Sequence, residues 1–216
     1  MALPLALRNS LAELILASLH DMEARRALHA VATLCIRPHG RPCAVEVPAC
    51  MPSDFLEDDA GRVGLKSQWR EHAADLRERS GRAARAIGGR PLDPADATLE
   101  SALDAAALLF DAGLYFEVHE LLEPYWLRAE GSDRMALQGI IQVAVGFEHL
   151  VNGNVKGWHA LLATGCDKMD GRVLLGLDLH RFARDVRQFA TDGVTLGETG
   201  VRPFDRIAVP RFPSRA

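Results

Sequence analysis

The sequence has no long apolar run, few cysteines and few residues that favour β-strands. No stretch approaches 18 consecutive uncharged apolar residues, and charges interrupt the apolar N-terminal 19 residues, so we expect neither a membrane-spanning helix nor a secretory signal. Val, Ile and Thr number 26 residues in all, whereas Leu and Ala number 62. Because strong helix formers predominate, the composition predicts an all-α fold.

The chain also lacks an excess of basic charge. Its 25 Lys and Arg against 29 Asp and Glu give a formal net charge of −4, so we expect no nucleic acid as a partner. The four cysteines, without a recognisable export signal, are expected to be reduced thiols in the cytoplasm. Arginine outnumbers lysine 22 to 3, which we interpret as the codon bias of a GC-rich bacterial genome.

Proline and glycine clusters divide the sequence into three parts. Prolines are frequent between residues 37 and 59, and Gly88-Gly89-Arg90-Pro91 ends a second helical pattern. These breaks predict an N-terminal helical extension with a Pro/Cys-containing loop over residues 1–91. A helical core domain is predicted over 92–190, followed by a docked, extended C-terminal tail over 191–216.

The core domain contains two similar halves, forty residues apart. Gly113 corresponds to Gly153, and His119 corresponds to His159. Asp93-Pro94 is predicted to start the first helix as N-cap and first helical residue. Each half is predicted to form a helix, a tight glycine turn and a second helix. The fold is therefore predicted to be a compact bundle of stacked antiparallel helical hairpins.

Polar and aromatic residues are densest just after Gly113. At 100° per residue, two ionisable and two aromatic residues fall within a sector of about 80° on one helix: Phe116, His119, Glu123 and Trp126. Glu120 lies at the edge of this sector, and Glu117 is expected to point away. Because an unpaired buried carboxylate is costly, His119 and Glu123 are expected to pair and to lie largely out of water.

The next helix offers a matching polar stripe. Its members are spaced by four, three and four residues: Gln138, Gln142, Val145 and His149. A short loop at residues 131–133 makes the two helices antiparallel neighbours. We therefore predict one buried hydrogen-bonded cluster, whose candidate binding residues are His119, Glu120, Glu123, Trp126, Gln142 and His149.

Two blocks of this region resemble the domain-of-unknown-function 309 family. The first is Phe-Asp-Ala-Gly-Leu-Tyr-Phe-Glu-Val-His-Glu-Leu-Leu-Glu over residues 110–123, followed by Trp126. The second is Leu-Gln-Gly-Ile-Ile-Gln-Val-Ala-Val over residues 137–145, followed by His149, Gly153-Asn154 and Gly157. The resemblance covers about residues 100–170 and implies a small all-helical bundle. It implies no activity, because the family has none firmly assigned.

Three interpretations of the polar cluster stay open. The leading hypothesis is a helical binding or scaffold module for a small-molecule ligand or a protein partner, without cofactor or metal. The alternative is a metal-dependent hydrolase, because His119-Glu120-x-x-Glu123 resembles the zinc-protease helix motif with its second histidine replaced. His149 or His159 would then have to supply the missing nitrogen. The third interpretation is a structural network that fixes helix register. Whether the chain is an enzyme therefore stays open.

A second potential metal site lies in the N-terminal loop. Four residues with ligand side chains occur within 16 residues there: Cys35, His39, Cys43 and Cys50. Their spacing lacks the tight Cys-x2-Cys knuckle of common zinc sites. Unligated thiols are therefore the preferred interpretation, and zinc is the alternative.

Overall fold

The computed structural model describes residues 3–34, 56–59, 62–94, 97–192, 209–213 and 215. The chain divides into two compact units, Met1–Ala97 and Thr98–Ala216. The described residues are dominated by helices, so the all-α prediction is confirmed. In this part of the chain, every helix is too short or too polar to cross a lipid bilayer. The loop with Cys35, His39, Cys43 and Cys50 lies outside the described residues.

The described residues of unit 1 form three α-helices, a 3-10 turn and a short hairpin. Its elements in chain order are α1 (Leu5–Ala17), α2 (Met22–Leu34), β1 (Leu56–Asp59), β2 (Arg62–Leu65), the 3-10 turn Ser67–His72 and α3 (Ala73–Ile87). The two strands pair antiparallel. Arg25 ties the turn after α1 to the segment after α3: its Nε donates to the Ser18 carbonyl at 3.0 Å and its Nη1 to the Arg90 carbonyl at 2.7 Å.

In unit 2, the residues that the structure describes form five α-helices and a second short hairpin. Its elements are α4 (Leu99–Asp111), α5 (Tyr115–Arg128), α6 (Gly131–Val151), α7 (Val155–Met169), β3 (Val173–Leu174), β4 (Leu177–Asp178) and α8 (Leu179–Asp192). Consecutive helices from α4 to α8 pack against each other. The α4–α5 and α6–α7 turns each contain a glycine with positive φ, Gly113 at 69° and Gly153 at 78°. Glycine adopts this conformation without a Cβ clash, so the helix–glycine turn–helix pattern of both halves is confirmed.

The start of α4 differs from the sequence prediction. Thr98, not Asp93, is the N-cap, and its side chain accepts a hydrogen bond from the Ser101 amide. Asp93 instead pairs with Arg90 at 2.8 Å and donates its amide to the Leu19 carbonyl. Both partners of Asp93 belong to unit 1, which explains why Asp93-Pro94 does not start the helix of unit 2.

The hairpin β3–β4 was absent from the sequence prediction. Its two central residues, Leu175 and Gly176, both have positive φ, at 47° and 84°. That combination is typical of a type I′ turn, whose usual sequence signal is Asn-Gly or Asp-Gly. Leucine at the first central position hides the signal.

Glycines bring α6 and α7 unusually close together. A Cβ at Gly139 would lie 2.8 Å from the carbonyl oxygen of Gly165, and one at Gly165 would lie 2.9 Å from that of Gly139. A Cβ at Gly146 would collide with Leu162 of α7. The two helix backbones can therefore approach to this distance only because these positions lack side chains.

Candidate functional site

Helix α5 places the predicted polar and aromatic sector beside its buried face, not within it. Tyr115, Val118 and Leu122 are buried in the core of unit 2. The residues that the sequence places in one sector are all half-buried: Phe116, His119, Glu123 and Trp126. Helix α5 continues to Arg128 in spite of Pro124 in its interior.

His119 lies between two carboxylates of its own helix. Its Nδ1 is 3.1 Å from Glu120 Oε1, and its Nε2 is 4.0 Å from Glu123 Oε2. The side chains of His119, Glu120 and Glu123 are 27%, 37% and 44% exposed. The prediction that the pair lies largely out of water is therefore wrong for Glu123, whereas about three quarters of the His119 side chain is covered. Their sector is at the flank of the buried face, so water reaches the pair.

Gln142 and His149 bind to other partners. Lys168 Nζ of α7 donates to Gln142 Oε1 at 3.0 Å. His149 Nδ1 lies 2.9 Å from Asn154 Nδ2, in the turn before α7. Among the described residues, no hydrogen bond or ion pair joins either residue to His119, Glu120 or Glu123. The expected single cluster is therefore three separate polar groups.

The close α6–α7 contact explains this separation. A Cβ at Gly165 would lie 3.1 Å from Gln142 Cβ, so the Gln142 side chain starts directly beside α7. Lys168 is one turn further along α7 and reaches the amide oxygen of Gln142. Helix periodicity alone places Gln142 on a stripe, but the neighbour it meets depends on how closely the two backbones approach.

Helix α6 has a single outward stripe. Between Ala136 and Leu150 all but four residues are buried, and the four are half-buried: Gln138, Gln142, Val145 and His149. Helices α5 and α7 both pack against α6. The stripe therefore lies on the part of α6 that its two neighbours leave uncovered.

Arg134 of α6, four residues before Gln138, contacts the C-terminal end of the α5 stripe. Its guanidinium carbon lies 4.7 Å from the centre of the Trp126 ring, within cation–π range. Its Nη1 also lies 3.2–3.3 Å from the carbonyl oxygens of Trp126, Leu127 and Ala129, at the C-terminal end of α5. A cation at this end offsets the negative pole of the helix. We call the two stripes together the α5–α6 face: Phe116, His119, Glu120, Glu123 and Trp126 of α5, with Gln138, Gln142, Val145 and His149 of α6.

Sequence reasoning missed two buried carboxylates. Glu117 is fully buried, although it was expected to point away from the core, and Glu148 is 8% exposed. Asn152 Nδ2 donates to Glu148 Oε1 at 3.3 Å. At helical spacing Glu117 follows Leu114, the buried N-cap of α5, by three residues and precedes Leu121 by four residues. These two leucines were the signal that this position borders the core.

Titratable groups with shifted pKa values lie between α7 and α8, away from His119. Hydrogen bonds from Arg187 at 2.7 and 2.8 Å lower the pKa of Asp170 below its usual value. Burial raises the pKa of the Cys166 thiol to about 11. Such a thiol stays protonated at neutral pH and is a poor nucleophile. Within the described ranges, no group of three or more His, Cys, Asp and Glu side chains could hold a metal ion.

The comparisons with known proteins agree with the resemblance read from the sequence. Residues 103–161 match a family model described as Domain of unknown function (DUF309). The matched segment runs from α4 to α7 and includes the whole α5–α6 face. No curated protein and no solved structure matches the chain.

Proposed function

We propose that unit 2 is a helical binding module and that the α5–α6 face is its recognition surface for a small-molecule ligand or a protein partner. The observation that carries the proposal is the position of His119. Its side chain is partly exposed, with a carboxylate near each ring nitrogen and with Phe116 and Trp126 on the same stripe. This arrangement offers hydrogen-bond donors, acceptors and apolar surface together, which is typical of recognition sites.

The partial exposure of His119, Glu120 and Glu123 favours a role in binding over a role in stabilising the fold. Exposed ion pairs contribute only about 0–1 kcal/mol to folding, because water competes for both partners. The His119 ring keeps 27% of its surface accessible, so an incoming polar group can replace water there without opening the core. A buried network, by contrast, would have to break before it could bind anything.

The proposed binding module is the core domain predicted from the sequence. We infer a core domain over residues 92–190 with a docked tail over 191–216, working in a bacterial cytoplasm. The core should fold without the N-terminal extension, because the hairpins that build it all follow the Gly88-Gly89 break. A fragment starting at residue 92 and ending at 216 should therefore unfold cooperatively in urea. A fragment without a cooperative transition would contradict the inferred boundary.

The recognition surface can be mapped by NMR without knowing the natural ligand. A fragment library of amines, imidazoles and carboxamides would be titrated into 15N-labelled protein. We expect amide shift changes concentrated in residues 116–126 and 138–149, and weakened in a His119→Ala/Glu123→Ala variant. The matched control is Arg181→Ala on α8, whose side chain is 73% exposed. Hits that spread over other surfaces, or that survive the double substitution, would contradict the proposal.

A zinc titration separates this proposal from the metal-dependent hydrolase. The binding module predicts no stoichiometric zinc uptake that depends on His119. One equivalent of zinc bound by the parent and lost in His119→Ala would instead support the hydrolase, since metal affinity depends on its ligands. Isothermal titration calorimetry on chelator-treated protein gives the stoichiometry directly.

A further inference from the structure

The C-terminal residues 209–213 and 215, here called the strap, lie across helices of unit 2. Phe212 is 5% exposed and packs against Phe110 and Phe182, with both ring-centre distances 5.7 Å. Its backbone amide donates to Asp111 Oδ1 at 2.9 Å. One aromatic side chain of an otherwise irregular segment therefore fills a site between α4 and α8.

Two arginines of the strap bind a row of carboxylates on α4. Arg215 Nη1 lies 2.7 Å from Glu100 Oε1, and Arg215 Nη2 lies 3.1 Å from Asp104 Oδ1. Arg211 Nη1 pairs with Asp111 Oδ2 at 3.2 Å. The basic residues of the strap thus match an acidic face of one helix.

The backbone of the strap also pairs with a strand of unit 2. Arg215 forms an isolated antiparallel β-bridge with Leu177 of β4, and its Nη2 donates to the Glu100 carbonyl at 2.9 Å. The Arg211 and Arg215 side chains and the Phe212 backbone amide all donate hydrogen bonds to α4. Edge pairing with a strand, an aromatic anchor in a pocket and flanking charge pairs are the contacts by which proteins bind extended peptides.

We propose that the groove formed by α4, α8 and β4 is a peptide-binding site for the pattern Arg-Phe-x-x-Arg and that the strap occupies it as a releasable intramolecular ligand. The occupant is this chain's own segment, and the same segment supplied in trans replaces it. Covalent attachment gives the strap an effective concentration on the order of millimolar, so it blocks the groove until it is released.

The test uses the full chain with a protease site inserted between Ala208 and Val209, and a fluorescent peptide of residues 209–216 as the probe. Fluorescence anisotropy measures binding before and after cleavage. The cleaved protein, diluted so that its own strap dissociates, should bind the peptide saturably and at least tenfold more tightly than the uncut protein. A peptide with Phe212→Ala should bind at least tenfold more weakly than the parent peptide.

Two further variants make the outcome decisive. The uncut Phe212→Ala protein should bind the parent peptide more tightly than the uncut parent does, because its own strap competes less well. The protein variant Glu100→Arg/Asp104→Arg should bind the parent peptide more weakly. A peptide with Arg215→Glu should recover part of the lost affinity for this variant. Equal binding by cut and uncut protein, or no preference for Phe212, would overturn the proposal. Loss of cooperative unfolding after cleavage would also overturn it, because the strap would then be an integral part of the core.

Discussion

Replacing Gly139 with alanine tests the close contact between α6 and α7. The new Cβ would lie 2.6 Å from Met169 Cγ and 2.8 Å from the Gly165 carbonyl oxygen. The methionine side chain can rotate away, but the carbonyl belongs to the backbone of α7, so the two helices must separate. Overpacking of this kind costs about 1–3 kcal/mol. Alanine in a helix gains about 1 kcal/mol over glycine.

Because the clash is with backbone that cannot rotate away, the cost of overpacking should lie in the upper part of its range, about 2–3 kcal/mol. Subtracting the gain of about 1 kcal/mol in helix propensity, we expect Gly139→Ala to lower the free energy of unfolding by about 1–2 kcal/mol. Urea unfolding followed by circular dichroism measures this change. Gly81→Ala in α3 is the matched control, since its nearest atom would be the flexible end of Arg85 at 3.4 Å. It should stabilise unit 1 by about 0.4–1 kcal/mol. A Gly139→Ala protein as stable as the parent would refute the reasoning.

Three other predictions follow from buried or paired groups. Glu117→Ala should lower the free energy of unfolding by about 1–3 kcal/mol in urea melts, because it removes a fully buried, partnered carboxylate; a loss under about 0.5 kcal/mol would contradict this burial. The ion pair with Arg187 lowers the pKa of Asp170, so its stabilisation is complete above the ordinary carboxyl pKa and is lost as pH falls through the lower, folded-state value. Asp170→Asn should therefore lose less stability than the parent between about pH 5 and about pH 2, and parallel acid melts of the two proteins would argue against the pair. Cys166, buried and with a pKa of about 11, should react with iodoacetamide at pH 8 only after denaturation, as peptide mass mapping can show. Rapid labelling of Cys166 in the folded protein would contradict this placement.

The parts of unit 2 that could be predicted depend on local chemistry. The helix–glycine turn–helix pattern needs a residue that tolerates positive φ, and glycine at 113 and 153 supplies that signal within a few residues. The start of α8 is marked in the same local way, since Asp178 Oδ1 accepts from the Arg181 amide at 2.9 Å. Such features are readable from sequence because both partners lie within one turn of each other.

The parts that could not be predicted depend on contacts between distant elements. Helix periodicity correctly places His119 and Glu123 on one stripe, but it does not say how far the neighbouring helix covers that stripe. Gln142 binds Lys168 because the glycines of α6 and α7 let their backbones meet. Glu117 is buried because α5 packs against both α4 and α6. Each of these outcomes needs tertiary distances that the spacing of residues along one helix does not contain.

If His119, Glu120 and Glu123 form part of a recognition surface and not a structural network, the two carboxylates should contribute little to the free energy of folding. The most direct test is the free energy of unfolding of Glu120→Ala/Glu123→Ala, measured against the parent in urea. The side chains of Glu120 and Glu123 are 37% and 44% exposed, so we expect a loss of no more than about 1 kcal/mol. A loss of about 2 kcal/mol or more would show that these carboxylates hold the fold together, and it would contradict the proposed role in recognition.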